Sequence, residues 1–244
     1  MISMISAALA AGLALSAAAD EPDYYVEYIE STYPGAGGSD ADSPWIDTGI
    51  KATPLTRLEM EFQVTFARAS LQPSPFGAEF GTFWFALYYN GSSQWAIDFV
   101  HGGDSKGRYV GILAATDAEQ SRYYINLDGQ NKVCAITNLT TSAGAKVDMK
   151  DYSTQAADVT DYNLPLFGRV KNESQISAPG YRPKMKLYSC DIYENGELER
   201  QFRPAVKGGV AGLWDKKNGS FYASKTARAF IAGKKISGLV ILIK

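Results

Sequence analysis

A dense run of aromatic side chains is the feature of this sequence with the clearest chemical meaning. The segment 83–89 (FWFALYY) has the alternation of a β-strand, which places Trp84 and Tyr88 on one face. Trp95 follows in the next predicted strand. Because sugars pack the apolar faces of their rings against aromatic side chains, Trp84, Tyr88 and Trp95 are the candidate carbohydrate-binding residues. The alternative is that these rings only form core and cross-strand packing pairs.

Residues that could catalyse a reaction are sparse. Glu59 and Glu61 lie on one face of a predicted strand, but other polar residues share that face, as is typical of a solvent-exposed strand surface. His101, the single histidine, lies in the segment 101–104 (HGGD), which predicts a turn or surface position. The sequence has no G-x-S-x-G, P-loop or G-x-G-x-x-G motif. We therefore expect no enzymatic activity and no catalytic residues.

The side chains that bind metals are also few. The cysteines, Cys134 and Cys190, have no C-x-x-C spacing and only one histidine to accompany them, so they are interpreted as buried or loosely paired thiols. Calcium needs oxygen ligands. The candidate ligands are two alternative pairs of aspartates, Asp40 and Asp42 in the segment 33–44 or Asp98 and Asp104 near His101. None belongs to a dense D-x-D-x-D-G loop, so we expect neither a metal nor a cofactor.

Period-two alternation of apolar and polar residues recurs along the chain and predicts β-strands. The clearest case is 57–66 (RLEMEFQVTF), where every second residue from Leu58 onward is apolar. The other predicted strands are 24–29, 45–50, 82–89, 94–100, 108–114, 122–127, 132–137, 184–193, 197–202, 213–214 and 221–222. Hairpin turns are predicted at Asp128-Gly129, Asn195-Gly196 and Asn218-Gly219. No segment has a convincing 3.6-residue apolar period, so the pattern favours an all-β, antiparallel β-sandwich.

Three segments lack a clear strand pattern. Residues 33–44 are rich in Gly, Ser and Asp and predict a flexible loop, while 140–161 predict a long surface connection. Residues 236–244 (ISGLVILIK) form an apolar run too short to cross a membrane and compatible with a last core strand. No linker divides the chain, so residues 20–244 are predicted to form a single domain.

The first nineteen residues carry no charge and end in Ala17-Ala18-Ala19, which predicts a signal peptide at 1–19. No Lys or Arg precedes the apolar run, so the usual basic start is missing. With a formal net charge of −2, the chain shows no electrostatic footprint for nucleic acid. We expect a secreted or cell-envelope protein, in the periplasm or at the cell surface, with no membrane span after the signal peptide.

The order of several short motifs resembles a known family. The segment 25–32 (YVEYIEST) is followed by 45–50 (WIDTGI), and a closing block contains 186–193 (KLYSCDIY), 202–205 (FRPA), 212–215 (GLWD) and 218–222 (NGSFY). This order resembles the LamG-like, concanavalin A-like lectin-glucanase domains of bacterial surface and phage-associated proteins. The resemblance spans roughly residues 24–233 and implies a jelly roll of two stacked antiparallel sheets. The chain departs from the family in the lengthened link at 33–44.

The resemblance leaves several functions open, because this fold carries lectins, glucanases and adhesion modules. Related glucanases carry an E-x-D-x-x-E run on one strand face, and this sequence has none. The expected function is therefore a non-catalytic binding or adhesion module for a glycan or a cell-surface protein, with a carbohydrate as the leading ligand. The alternatives are a structural or assembly module of the cell envelope without a small ligand and, behind it, a glycoside hydrolase.

Overall fold

The computed structural model describes residues 21–32, 42–66, 72–90, 94–102, 108–114, 121–172 and 182–237, with the backbone alone at 66, 108–111 and 114. These residues contain β-strands, turns and bends, and no α-helix. Within them no helical segment has the length and apolar character needed to cross a lipid bilayer. The predicted signal peptide at 1–19 lies outside the described residues.

The described strands range in length from two residues to eleven. Those of the first half are β1 (Tyr24–Tyr25), β2 (Ile29–Glu30), β3 (Ile46–Asp47), β4 (Thr56–Phe66), β5 (Phe76–Ala78), β6 (Phe83–Asn90), β7 (Gln94–His101) and β8 (Arg108–Ala114). Those of the second half are β9 (Arg122–Asp128), β10 (Val133–Asn138), β11 (Gly144–Asp148), β12 (Pro165–Leu166), β13 (Lys184–Glu194), β14 (Glu197–Lys207), β15 (Val210–Asp215), β16 (Ser220–Tyr222) and β17 (Ile231–Ala232).

The strands form two sheets in which every named pair is antiparallel. The eleven-stranded sheet has the order β11-β10-β9-β4-β13-β14-β15-β16, with β1 beside β14 and with β2 between β13 and β17. The six-stranded sheet has the order β3-β12-β5-β6-β7-β8. One continuous hydrophobic cluster takes residues from both sheets. The expected all-β, antiparallel β-sandwich is therefore confirmed.

Alternation along β4 decides which face of the eleven-stranded sheet enters the core. Leu58, Met60, Phe62 and Val64 are all fully buried, whereas the residues between them are partly exposed. Ion pairs lie on the polar face, where Glu61 pairs with Arg122 and Glu59 pairs with Arg57. This confirms the interpretation of the Glu59 and Glu61 face as a polar outer surface.

The three predicted hairpins are present, and two have the expected backbone geometry. Asn195 and Gly196 have φ angles of 49° and 81° between β13 and β14, and Gly219 has a φ of 62° between β15 and β16. In the β9–β10 hairpin the positive φ belongs to Lys132, at 52°, and not to Gly129. The hairpin is therefore present as predicted, but the positive φ expected at Asp128-Gly129 is wrong.

The side chain of Asp128 organises the β9–β10 turn. The Asp128 carboxylate accepts hydrogen bonds from the backbone and side-chain N–H groups of Asn131, at 2.9 and 2.7 Å. Gly129 is needed for space, because a Cβ there would lie 2.5 Å from the carbonyl oxygen of Pro54.

Other expectations from the sequence can also be compared with the structure. The predicted connection at 140–161 contains β11, so it is not wholly irregular. Cys134 and Cys190 are free, buried thiols in the core. Most of the loop at 33–44 and of the apolar run at 236–244 lies outside the described residues.

Candidate functional site

The two faces of β6 differ in chemistry. Its odd-numbered residues, from Phe83 to Tyr89, lie in the core between the sheets. Its even-numbered residues, including Trp84 and Tyr88, therefore project from the opposite face. On β7 the same alternation places Asp98 on that face, paired with Ala86 of β6. We call this surface the outer face of the six-stranded sheet.

Charged side chains are buried on this outer face. Glu79, directly after β5, is 4% exposed, and Asp98 and Arg169 are 0% exposed. Arg169 donates a hydrogen bond from Nη1 to Glu79 Oε1, and Lys171 Nζ lies 3.2 Å from Glu79 Oε2. Charged groups are rarely buried to this extent unless they are paired. The polar and aromatic residues of this face form what we call the outer-face cluster: Glu79, Trp84, Tyr88, Asp98 and Arg169.

Tyr88 connects the acidic and basic parts of the cluster. Its hydroxyl donates a long, 3.5 Å hydrogen bond to Asp98 Oδ1. The guanidinium carbon of Arg169 lies 4.5 Å from the centre of the Tyr88 ring. A cation over an aromatic face is attracted by the quadrupole of the ring, so Tyr88 and Arg169 hold each other in place.

A glycine in β5 makes room for the arginine. A Cβ at Gly77 would lie 2.5 Å from Ala86 Cβ and 3.2 Å from Arg169 Cδ. Glycine inside a strand often marks such a close approach. The sequence Phe76-Gly77-Ala78-Glu79 therefore contributes twice, because Gly77 admits the arginine stem and Glu79 pairs with its head group.

The structure separates the three candidate carbohydrate-binding residues. Trp84 is partly exposed and Tyr88 is 4% exposed, both on the outer face. Trp95 is 0% exposed and lies in the core, with ring centres 5.3 Å from Phe62 and 5.4 Å from Tyr123. This corrects the expectation for Trp95, since an enclosed ring offers no face to a ligand. Sugar binding by Trp84 and Tyr88 stays a prediction.

His101 lies apart from the outer-face cluster, at the end of β7. Its Nδ1 lies 2.7 Å from Asp158 Oδ1, and its backbone N–H donates to the carbonyl of Ser153 at 2.7 Å. Asp158 Oδ2 also accepts from the backbone N–H of Gln155 at 2.7 Å. These hydrogen bonds hold the segment 153–158 against the end of β7, so the geometry assigns His101 a structural role.

The candidate calcium ligands do not come together in the described residues. Asp42 is exposed, Asp98 is buried in the outer-face cluster, and Asp40 and Asp104 lie outside the described part of the chain. Across the described ranges no group of three or more His, Cys, Asp or Glu side chains has an arrangement suited to a metal ion.

Sequence reasoning missed Glu79 and Arg169. They are ninety positions apart, so no local pattern links them. The one available signal was the glycine of Phe76-Gly77-Ala78, which could have indicated a close approach to a short strand.

The comparisons with known proteins give distant structural likenesses. No protein-family model matches the chain, and no curated protein matches it either. Among solved structures it is similar to the CBM40 of Ruminococcus gnavus IT-sialidase, at 15% identity and a TM-score of 0.39, over 71% of this chain and 88% of that one. The same CBM40 bound to α2,3 sialyllactose gives 16% identity and a TM-score of 0.36, over 69% and 88%.

Scytalido-glutamic peptidase with a transition state analog inhibitor is also similar, at 11% identity and a TM-score of 0.36, over 78% of this chain and 97% of that one. Likenesses at these TM-scores assign no function, and the β-sandwich rests on the strand pairing described above.

Proposed function

We propose that this chain is a non-catalytic carbohydrate-binding module whose ligand contacts the outer face of the six-stranded sheet. One observation carries the proposal: Glu79, Asp98 and Arg169 are buried together on a sheet face that lies outside the hydrophobic core. A face with only a packing role is served at least as well by apolar side chains, because burying charges costs desolvation energy. Binding a polar ligand gives these charges a use.

The chemistry of the cluster suits a glycan. Tyr88, Asp98 and Arg169 are at most 4% exposed, so a glycan would contact the cluster at its rim, where carboxylate, guanidinium and phenol groups favour a ligand that both donates and accepts hydrogen bonds. The partly exposed ring of Trp84 provides an apolar surface beside these groups. A few placed polar groups beside an aromatic surface are the usual composition of a small-ligand site.

The cellular setting belongs to the same proposal. Removal of the signal peptide at 1–19 would deliver the protein to the periplasm, the cell surface or the medium. There it would act as a LamG-like, concanavalin A-like jelly roll that attaches to glycans or to glycan-bearing surface proteins. Cleavage between Ala19 and Asp20 is checked by N-terminal sequencing of the exported protein.

A structural or assembly module without a small ligand is the second candidate. The enclosure of Tyr88 and Asp98, at 4% and 0% exposure, favours it, because a ligand could reach them only at the rim of the cluster. The two candidates differ in whether purified protein binds a free glycan.

A glycan array tests the proposal, with the full chain compared to Trp84→Ala and to Tyr193→Ala. Tyr193 is a matched control, since it is a partly exposed aromatic residue on the outer face of the other sheet, stacked under Arg57 at 3.8 Å. We expect Trp84→Ala to weaken glycan binding at least about tenfold, as for central aromatic contacts in other interfaces. Tyr193→Ala should bind like the wild type. Binding to no glycan would favour the structural module.

A further inference from the structure

The sequence contains three Asn-Gly pairs, at 90–91, 195–196 and 218–219. Residue 91 lies outside the described residues, so the other two pairs can be compared. The pair at 195–196 forms the turn between β13 and β14, and the pair at 218–219 lies in the turn between β15 and β16. Both turns belong to the eleven-stranded sheet, away from the outer-face cluster on the six-stranded sheet.

An Asn-Gly pair rearranges without an enzyme when its geometry allows. The backbone nitrogen of the glycine attacks Cγ of the asparagine side chain and forms a C–N bond. The proton of the attacking nitrogen passes to the side-chain nitrogen, which leaves as ammonia. Water then opens the resulting succinimide ring at one of its two carbonyls and gives aspartate or isoaspartate. Glycine favours the first step, because it has no side chain to hinder the approach.

Hydrogen bonds hold both reacting groups of the Asn218-Gly219 pair. The carboxamide nitrogen of Asn218 donates to Asp215 Oδ2 at 2.7 Å and to the carbonyl of Glu199 at 2.8 Å. The attacking nitrogen is also occupied, because the Gly219 N–H donates to the carbonyl of Asp215 at 2.8 Å. Asp215 is itself fixed, since it is 0% exposed and accepts from the backbone N–H of Gln201 at 2.9 Å. Succinimide formation at Asn218 therefore requires several hydrogen bonds to break first.

The Asn195-Gly196 pair has none of these restraints. Both residues are exposed. Within the described part of the chain, neither the Asn195 carboxamide nor the Gly196 N–H makes a hydrogen bond. Apart from the chain neighbours of Gly196, a Cβ placed on it would meet one atom within 4 Å, Gln130 Oε1 at 3.5 Å. The space around the attacking nitrogen is therefore open.

The turn that contains Asn195 is also weakly held. The backbone between Asn195 and Gly196 must rotate for the attacking nitrogen to reach Cγ. The Asn195 N–H donates to the carbonyl of Leu55 at 3.3 Å, which is longer than the usual range of about 2.7–3.2 Å. Exposed segments with few restraints open locally at a much lower cost than global unfolding. The folded protein therefore has access to the rotation.

We propose that Asn195 is a site of spontaneous deamidation in the folded protein, whereas Asn218 is protected by its hydrogen bonds. The modification consumes one water molecule, releases one ammonia and replaces a neutral amide with a carboxylate. It is independent of the function proposed for the outer face.

The product should loosen the end of the β13–β14 hairpin. The new carboxylate lies between Glu194 and Glu197, which pair across the hairpin, and neighbouring like charges are destabilising. Isoaspartate also lengthens the backbone of a two-residue turn, whose geometry sets the register of its strands. Glu194 accepts hydrogen bonds from the hydroxyls of Thr53 and Thr56, so this end of the hairpin also holds the start of β4.

Peptide mapping by mass spectrometry tests the proposal, with the full chain incubated for weeks at mildly alkaline pH and physiological temperature. Each Asn-Gly pair is read from its own peptide, so Asn218 serves as the control within the same sample. In the native protein Asn195 should convert at least about tenfold faster than Asn218, because several additional hydrogen bonds must break at Asn218. In concentrated urea, where the hydrogen bonds are lost, the two rates should approach each other.

Three results would overturn the proposal. The first is that Asn195 stays intact in the native protein over an incubation that converts it in urea. The second is that Asn195 and Asn218 convert at equal rates in the native protein. The third is a ratio of rates that is the same in urea as in the native protein, since the hydrogen bonds would then protect nothing.

Asn195→Gly is the matched variant for the effect on the hairpin, because glycine accepts the positive φ of this position and has no carboxamide. After the same incubation, the urea concentration at the unfolding midpoint should fall in the wild type and not in Asn195→Gly. Equal falls in the two proteins would overturn the loosening of the hairpin by deamidation.

Discussion

The buried ion pair between Arg169 and Glu79 allows a prediction that separates stability from binding. Arg169→Met leaves the Glu79 carboxylate, which is 4% exposed, paired with Lys171 Nζ at 3.2 Å. Breaking a buried ion pair lowers the free energy of unfolding by about 3–5 kcal/mol. Because Lys171 still pairs with Glu79, we expect a loss of about 3 kcal/mol for Arg169→Met. Glu79→Met leaves a fully buried guanidinium beside Gln72 Oε1, at 3.4 Å, and the Tyr88 ring, and it should also cost about 3–5 kcal/mol.

The double variant should behave differently. With both charges replaced by methionine, the desolvation cost disappears along with the attraction, and such replacements are often neutral or stabilising. We expect it to be at least about 3 kcal/mol more stable than the sum of the single changes predicts. It should nevertheless weaken glycan binding, because Arg169 packs over the Tyr88 ring and so helps to position the proposed site.

Urea denaturation followed by circular dichroism gives the free energies of unfolding, provided that the m-values of all four proteins agree. A cost below about 1 kcal/mol for Arg169→Met would refute the reasoning about the buried pair. A double variant no more stable than the summed single changes would refute it as well. If the double variant folds and binds glycan like the wild type, the pair has no part in recognition.

Four further outcomes are expected. Gly77→Ala should destabilise the protein and weaken glycan binding in the same assays, because its methyl group would lie 2.5 Å from Ala86 Cβ. Trp95→Ala should cost about 3–5 kcal/mol of stability in urea denaturation, as for other buried aromatic residues. Burial, followed by neighbouring carboxylates, raises the pKa of Tyr124 to about 12. Ultraviolet titrations of the wild type and of Tyr124→Phe should therefore differ by one phenol that ionises near pH 12. Because this folded pKa exceeds the unfolded value near 10, the contribution of Tyr124 to stability is complete below about pH 10 and is lost as pH rises through 12. Burial raises the pKa of the Cys134 thiol to about 12, so iodoacetamide at pH 8 should label it only after unfolding.

Each of these outcomes has a clear contradiction. Wild-type stability of Gly77→Ala would mean that the arginine stem does not need the space above the glycine. A mild effect of Trp95→Ala would place that ring outside the core. A difference titration with a midpoint near 10 would show that Tyr124 is as exposed as a free phenol, and rapid labelling of native Cys134 would do the same for the thiol.

Long strands such as β4 were predictable because one of their faces is exposed to solvent. In β4, polar residues alternate with apolar ones, and the sequence alone indicates which side chains are buried. In β6 the alternation separated the Phe-rich face from the face of Trp84 and Tyr88, but the sequence alone did not decide which of the two is the core side. Strands β5 and β12 have three and two residues, too few for any alternation to show, and they were missed.

The position of Trp95 could not be predicted in the same way. Strand β7 is buried on both faces, since Ala96 and Val100 are about as buried as Trp95. Its register is set by the hairpin, which pairs Tyr89 with Trp95 and so turns both toward the core. A shift of one residue would have placed Trp95 on the outer face. The contact between Glu79 and Arg169 depends on the whole sheet order, which lies beyond a local pattern.

The two-dimensional ¹H–¹⁵N NMR spectrum of the indole N–H groups tests the central claim most directly, with a glycan selected on the array as the ligand. The account predicts that the Trp84 resonance shifts saturably, whereas the resonances of Trp95 and Trp214, at 0% and 2% exposure, stay in place. A glycan that binds tightly without moving the Trp84 resonance would contradict the proposed outer-face site.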